Sequence, residues 1–268
     1  MVRWRDGAPP SRWLLLGVAL GVAALVRGVA LPFLVVPALM WWITAGLRTA
    51  LRRVGWATLG IVLVVMPWTV RNVLVMGAPI VLSTDGPFVL FNGHNPLATG
   101  KQSLAMNDLR RQMWPSLAQL PSPRRETEQA KEELRFALQY AVTHPWHELT
   151  LISWRVFYLY EDDHQGLRPA TPPRRLSVGG SSIGPDLDAL AARLADAYFL
   201  VVLLLALAGL PRVLRAADGV VWLLPLTIAY FTLLHSMLFF GDPRYHAPLV
   251  PVLSLLATAG LRRRAATA

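Results

Sequence analysis

The length of its apolar runs most constrains this chain. Residues 54–70, 196–210, 220–240 and 247–261 approach the roughly 20 apolar residues needed to cross a ~30 Å hydrocarbon core. Composition agrees: 54% of the residues are hydrophobic and 16% charged, whereas a soluble domain carries about 25% charged residues. The class is a polytopic helical membrane protein. The opening "MVRWRDGAPPSR" is basic, but the apolar stretch behind it has no small-residue cleavage site and leads into further spans, so it does not read as a cleavable signal. The chain has no cysteine, which excludes disulfides and thiolate metal sites.

Charge gives the orientation. The net charge is +10, yet residues 71–192 hold 12 basic and 12 acidic side chains and are neutral. All the excess lies in short connections and at the ends of apolar runs. The clusters are Arg48, Arg52 and Arg53, then Arg212 and Arg215, then Arg262, Arg263 and Arg264. That is the positive-inside pattern of cytoplasmic loops. A nucleic-acid binder would instead place its excess on a folded polar domain, so nucleic acid is excluded as a partner. Trp56, Trp68 and Trp222 lie near run ends, where indoles favour the interface.

Residues 13–43, taken as one helix, would run about 46 Å at 1.5 Å per residue, longer than the hydrocarbon core. Arg3, Arg5 and Arg12 place the start on the same side as Arg48–Arg53, which demands an even number of crossings between them. A hairpin of two short helices, 13–26 and 29–44, meets that demand with Arg27 at its outer turn. The rival reading is one tilted, kinked span with the N-terminus outside. The expected fold is an all-α polytopic membrane protein of about six transmembrane helices, with a mixed α/β or mostly α extracytoplasmic segment. Its parts are an N-terminal membrane region, 1–70, containing the 13–44 hairpin and the 54–70 span; an extracytoplasmic domain, 71–192; and a C-terminal membrane region of three spans, 193–268. The location is a cell inner or plasma membrane, multi-pass, with both termini cytoplasmic.

Within the outer segment, "APIVLSTDGPFVLFNGHNPLATG" (78–100) carries β-branched and aromatic residues interrupted by "DG", "NG" and "NP", which read as turns. Residues 121–145 read as a helix with Ser122 as N-cap and Pro123 at the first helical position. Leu134, Ala137, Leu138 and Ala141 form its apolar stripe, and Glu128 with Lys131 forms a favourable pair on the solvated face. His144-Pro145 ends it. "WHELTLISWRVFYLY" (146–160) begins an aromatic-rich helix that lies along the membrane surface. Residues 167–186 are a Pro/Gly/Ser-rich linker. There is no internal repeat.

Polar chemistry concentrates in a few places. "GDPRYH" (241–246) puts Asp242, Arg244, Tyr245 and His246 between two apolar runs. From the residues alone this is either an interfacial turn, with Arg244 paired to Asp242 and Tyr245 in the aromatic belt, or an anion site at which Arg244 presents its fork of N–H donors. Arg71 and Asn72 close the third span at the same face, and an arginine there calls for a partner, either a phosphate or a carboxylate. Arg27 carries the same ambiguity, with a structural role favoured. In "YEDDHQG" (160–166), Glu161, Asp162, Asp163 and His164 offer ligands to a divalent cation. Adjacent loop residues seldom all point inward, and no second ligand set is evident, so the cluster reads as a solvated acidic turn; no metal and no cofactor is assigned. His94, Asn95 and Thr99 either line an acceptor pocket or shape turns, a role that suits Asn92 and Asn95. Gly17, Gly21 and Gly28 read as helix-packing positions.

"MPWTVRNVLVMGAPIVLSTDGPFVLFNGHNPLATG" (66–100) resembles the stretch that leaves the membrane in bacterial GT-C glycosyltransferases of the protein-mannosyltransferase-like family, which includes protein O-mannosyltransferases and the lipid A aminoarabinose transferase. Residues 137–160 resemble the family's helix, His/Asn-Pro, helix pattern, and 241–261 its last span, entered through an Arg-Tyr pair and two prolines. Residues 17–42 resemble the short hairpin upstream, where Arg-Pro is commoner than Arg27-Gly28. The resemblance spans the family's C-terminal half. It implies transfer of a sugar from a polyprenyl-phosphate donor to an extracytoplasmic acceptor, with Arg244, Tyr245, His246 and Arg71 on the lipid phosphate. The family's acidic catalytic loop lies upstream of anything in this sequence. A separate N-terminal half that carries the catalytic acid is therefore an expected partner, beside the donor and the bilayer. Asp162 and Asp163 are candidates for a substitute base. The alternatives are a non-catalytic membrane protein that retains the fold, and an unrelated transporter, against which the spans lack paired intramembrane charges.

Overall fold

The computed structural model describes residues 9–103, 105–164, 177–178, 181–182, 187–215 and 221–261. Among these residues ten α-helices carry the fold: α1 (Pro10–Val26), α2 (Val35–Ala45), α3 (Leu47–Met76), α4 (Asp85–Gly93), α5 (Ala105–Met113), α6 (Arg124–Thr143), α7 (Pro145–Tyr160), α8 (Leu187–Arg215), α9 (Leu223–Met237) and α10 (Val250–Leu261). A ribbon of two two-residue strands, Ser177–Val178 and Ser181–Ser182, is the β structure among them. The architecture is all-α. Gly28–Ala45, Leu47–Met76 and Ala189–Arg215 are long and apolar enough to cross a bilayer, and Pro10–Val26 and Leu223–Met237 are shorter apolar helices. The chain is a membrane protein. Arg3, Arg5, Arg262, Arg263, Arg264 and most of the 167–186 linker lie outside the described residues.

The N-terminal region is broken at Arg27, whose extended backbone separates α1 from two 3-10 turns, Gly28–Ala30 and Pro32–Leu34, that lead into α2. Pro32 opens the second turn, where its missing N–H costs nothing. Other elements run longer than the hydropathy suggests. The 54–70 run sits inside the 30-residue α3, about 45 Å long at 1.5 Å per residue. Nothing stops that helix until Gly77, whose left-handed φ of 66° forms its C-cap. The 196–210 run likewise extends to 29 residues in α8.

Lipid offers apolar helices no hydrophobic gain on pairing, so close backbone approach must hold them together. A Cβ on Gly17 would collide with the carbonyl of Ala57, and one on Gly60 with that of Leu14, so α1 and α3 meet backbone to backbone. Gly209 and Gly260 meet Leu256 and Leu205 in the same way across α8 and α10. Gly28 departs from this packing role: a Cβ there would meet only Leu82, at an ordinary 3.6 Å. At the arginine-rich end, Arg53 is buried against the rings of Trp13 and Trp41, 4.7 and 6.0 Å from their centroids.

Two readings of the middle segment need correction. The 78–100 stretch contains helix α4 rather than strand-like runs broken by turns. Asp85 begins it, its N–H donating to Ser83 Oγ at 3.2 Å. A carboxylate in the first helical turn is favourable, and Pro87 is tolerated there because that turn's N–H groups lack helical partners. Burial of Phe91 against Trp114 and Phe136, at 5.4 and 5.6 Å between centroids, contributes about 1.5–3 kcal/mol and outweighs local strand preference. Helix α6 starts at Arg124, not Pro123, and no Ser122 cap forms. Its buried face is Thr127, Glu133, Ala137 and Tyr140, whereas Leu138 is exposed. The Glu128–Lys131 pair does form, at 2.7 Å.

Helix α7 has two unlike faces. Leu151, Arg155 and Leu159 are buried, while Trp146, Leu149, Trp154 and Phe157 are exposed.

Candidate functional site

The site begins with a clasp. In "PWTVRN", Trp68, Thr69 and Asn72 fall at i, i+1 and i+4, on one side of α3. Trp68 Nε1 donates to Leu82 O at 2.8 Å, Thr69 Oγ1 to Val81 O at 3.1 Å, and Asn72 Nδ2 to Ile80 O at 2.9 Å. Backbone outside a helix needs partners for its carbonyls, and these three side chains supply them. Arg71 stands off the clasp. Its guanidinium donates to Asn72 Oδ1 at 3.1 Å and lies 5.1 Å from the centroid of the Trp68 ring; it makes no ion pair among the described residues.

The clasped strip walls a cavity of about 980 Å³. The opposite wall is α6, through Thr127, Ala130, Lys131 and Leu134. The ends of the apolar helices complete it with Arg27, Pro32, Trp68, His235 and Tyr245. Exposed Val26 and Val81 make much of the lining apolar. Arg27 lies 5.2 Å from the centroid of the Tyr245 ring and makes no hydrogen bond or ion pair from its guanidinium among the described residues. Lys131, the other lining cation, is already held by Glu128. Asp85 is the one carboxylate among the lining residues. Burial is the main influence on the Tyr245 hydroxyl and raises it above its ordinary range, so it remains a donor.

Beside the cavity is a closed ionic network. Arg155, with 0% of its side chain exposed, donates to Gly93 O at 2.7 Å, Ser236 O at 3.1 Å and Glu148 Oε2 at 2.8 Å. His94 donates from Nε2 to Leu238 O at 3.1 Å, and its Nδ1 lies 2.9 Å from Glu148 Oε2, a contact whose angle falls short of a hydrogen bond. Burial works to raise the Glu148 carboxyl, but His94 and Arg155 outweigh it and hold the group below its ordinary value. Asn95 is fully buried; its amide donates to Phe91 O and Asn92 O and its Oδ1 accepts from Leu97 N–H. His94 and Asn95 are thus committed to the protein and do not line the cavity. Glu148 and Arg155 went unnoticed in the sequence, where they look like ordinary charges on an amphipathic helix.

The residues of "GDPRYH" take different partners, although the Arg244 guanidinium stays 5.2 Å from the centroid of the Tyr245 ring. Asp242 accepts from the Arg244 N–H at 3.1 Å and lies 3.3 Å from Arg244 Nε, so the turn holds its own ion pair. The Arg244 guanidinium also reaches Gln102. Tyr245 faces the cavity and stacks on His235, with centroids 4.4 Å apart. His246 is fully buried, donating from Nδ1 to Leu159 O at 2.6 Å and lying 3.0 Å from Asp163 Oδ1 through Nε2. Tyr245 is therefore the one member of the Arg71, Arg244, Tyr245 and His246 set that lines the cavity.

The acidic turn gains a member from far along the chain. Asp196, on α8, accepts from the Asp163 N–H at 2.8 Å and contacts His164 Nδ1 at 2.9 Å. Asp162, His164 and Asp196 bring one ligand atom each within 4.8 Å of one another, a spacing that a divalent cation tolerates. Asp163 points away from this group, toward His246. No known protein family, curated protein or solved structure matches this chain.

Proposed function

We propose that this chain is the C-terminal membrane half of a GT-C, protein-mannosyltransferase-like glycosyltransferase, and that its cavity takes the headgroup of a polyprenyl-phosphate-linked sugar donor. One observation carries the reading: Arg27, with no anionic partner among the described residues, stands in a largely apolar cavity at the ends of apolar helices. A guanidinium there favours a phosphate, and the apolar lining suits the start of an isoprenoid tail. In this reading six helices cross an inner or plasma membrane, both termini are cytoplasmic, and α4–α7 lie outside. The exposed aromatic face of α7 rests on the bilayer surface.

Binding of polyprenyl phosphate to the full chain in nanodiscs tests this. Arg27→Ala should weaken it at least tenfold, and neutral polyprenol should bind poorly to both proteins. Equal binding of phosphate and alcohol would remove the phosphate role. Orientation is checked separately. Because the chain has no cysteine, a single cysteine introduced at the exposed Thr99 can be labelled cleanly, and labelling from the cytoplasmic side alone would overturn the topology.

Transfer requires a base, and in this reading the role falls to Asp85, the carboxylate among the cavity's lining residues, which takes the proton of an acceptor hydroxyl. The hydroxyl oxygen then bonds to the anomeric carbon, and the bond to the lipid phosphate breaks with its electron pair on that phosphate. A second reading, binding without transfer, is favoured by the engagement of Asp163 with His246 and of Glu148 with Arg155. Asp85→Asn separates the two: abolished transfer with retained binding supports the enzyme.

A further inference from the structure

His235 is 1% exposed, lines the cavity, and has a use for only one of its two ring nitrogens. Nδ1 lies 2.8 Å from Phe231 O, and a carbonyl can only accept, so Nδ1 carries hydrogen. In the neutral ring Nε2 is then an acceptor. It is buried and has no hydrogen-bond partner among the described residues. Aromatic neighbours hold the ring: it stacks on Tyr245 at 4.4 Å between centroids and lies nearly parallel to Phe231 at 6.1 Å, with Phe239 at 5.7 Å. A buried acceptor left without a donor carries an unrecovered desolvation cost. The cost is recovered when a ligand brings a donor.

Its neighbour matters as much. Arg27 and His235 both lie against the Tyr245 ring. A guanidinium with no anion among the described residues and an imidazole with an unused acceptor therefore share one aromatic neighbour, and both residues line the same cavity.

We propose that His235 Nε2 accepts a hydrogen bond from a hydroxyl next to the anionic group held by Arg27. His235 is then the residue that reads the hydroxylated substituent on the phosphate, within the headgroup class already proposed for this cavity. This rests on the phosphate reading above and goes further, since an anion site alone has no need of His235. Two sources share the chemistry: a polyprenyl phosphate that carries a hexose, and phosphatidylglycerol.

The test uses the full chain in phosphatidylcholine nanodiscs with three probes: polyprenyl phosphate, polyprenyl-phosphate hexose and phosphatidylglycerol. The wild-type protein should prefer a hydroxylated probe to polyprenyl phosphate by roughly tenfold, and the better of the two hydroxylated probes identifies the source. His235→Phe, which keeps the stacking, should erase that preference while leaving polyprenyl phosphate within about twofold. His235→Gln, which keeps an acceptor, should restore part of it. A wild-type preference near one overturns the proposal without any variant having to fold. Equal loss of all three probes in His235→Phe overturns it too, by making His235 structural. Arg27→Ala should weaken all three; if it weakens none, the phosphate reading fails, whereas an absent preference with an intact Arg27 effect sinks only the role of His235.

Discussion

Arg155 and Arg27 are two arginines near the same cavity with opposite surroundings. Arg155 is sealed from solvent and spends its donors on two carbonyls and a carboxylate. Arg27 sits at a break between helices, has its guanidinium 5.2 Å from the centroid of the Tyr245 ring, and faces open volume. The pair teaches that net charge says little about role. A buried arginine whose terminal nitrogens are bonded to the protein holds elements together, here joining α4, α7 and the end of α9. One left without an anion keeps its charge for something else.

This contrast can be tested in order of expected effect. Arg155→Ala should be the most damaging change, because it leaves Glu148 buried without its cation. A loss of about 3–5 kcal/mol is expected, read as thermal or denaturant unfolding in detergent. A drop below about 1 kcal/mol would break the comparison. Acid should act on the same network. The folded Glu148 carboxyl is held below its ordinary 4.5, so its contribution is present in full above that value and fades as pH falls through the lowered one. Glu148→Gln should flatten that acid-side loss in a stability-against-pH series, and an unchanged slope would assign acid sensitivity elsewhere. Next comes Gly241→Ala. Its Cβ would strike the Arg155 carbonyl and approach Tyr158 Cβ at 2.8 Å, costing about 1–3 kcal/mol. Smallest of all for stability is Arg27→Ala, expected within about 0.5 kcal/mol even as phosphate binding falls. A large stability loss there would make Arg27 a second structural arginine.

Much of the membrane architecture was legible in the sequence because lipid imposes one requirement, apolar length, that hydropathy reads directly. The break at Arg27 followed from parity and helix length. The site was less legible, since its partners meet only in three dimensions. Asp196 joins His164 from 32 residues away, and Tyr245 meets His235 through a turn whose other polar members point elsewhere. "PWTVRN" stood out as a pattern, but its reason, three side chains holding three consecutive carbonyls, needs coordinates. Helix α4 was misread because local "DG" and "NG" signals were outweighed by burial of Phe91.

The clasp has a mechanical consequence. Three hydrogen bonds fasten residues 80–82 to the long helix α3, so that side of the chamber moves only if the helix does. The facing helix α6 is joined to this side by the Thr84–Glu126 hydrogen bond and by Phe136 packed on Phe91 of α4. A tilt of α3 would therefore carry residues 80–82 with it and reshape the chamber from that wall.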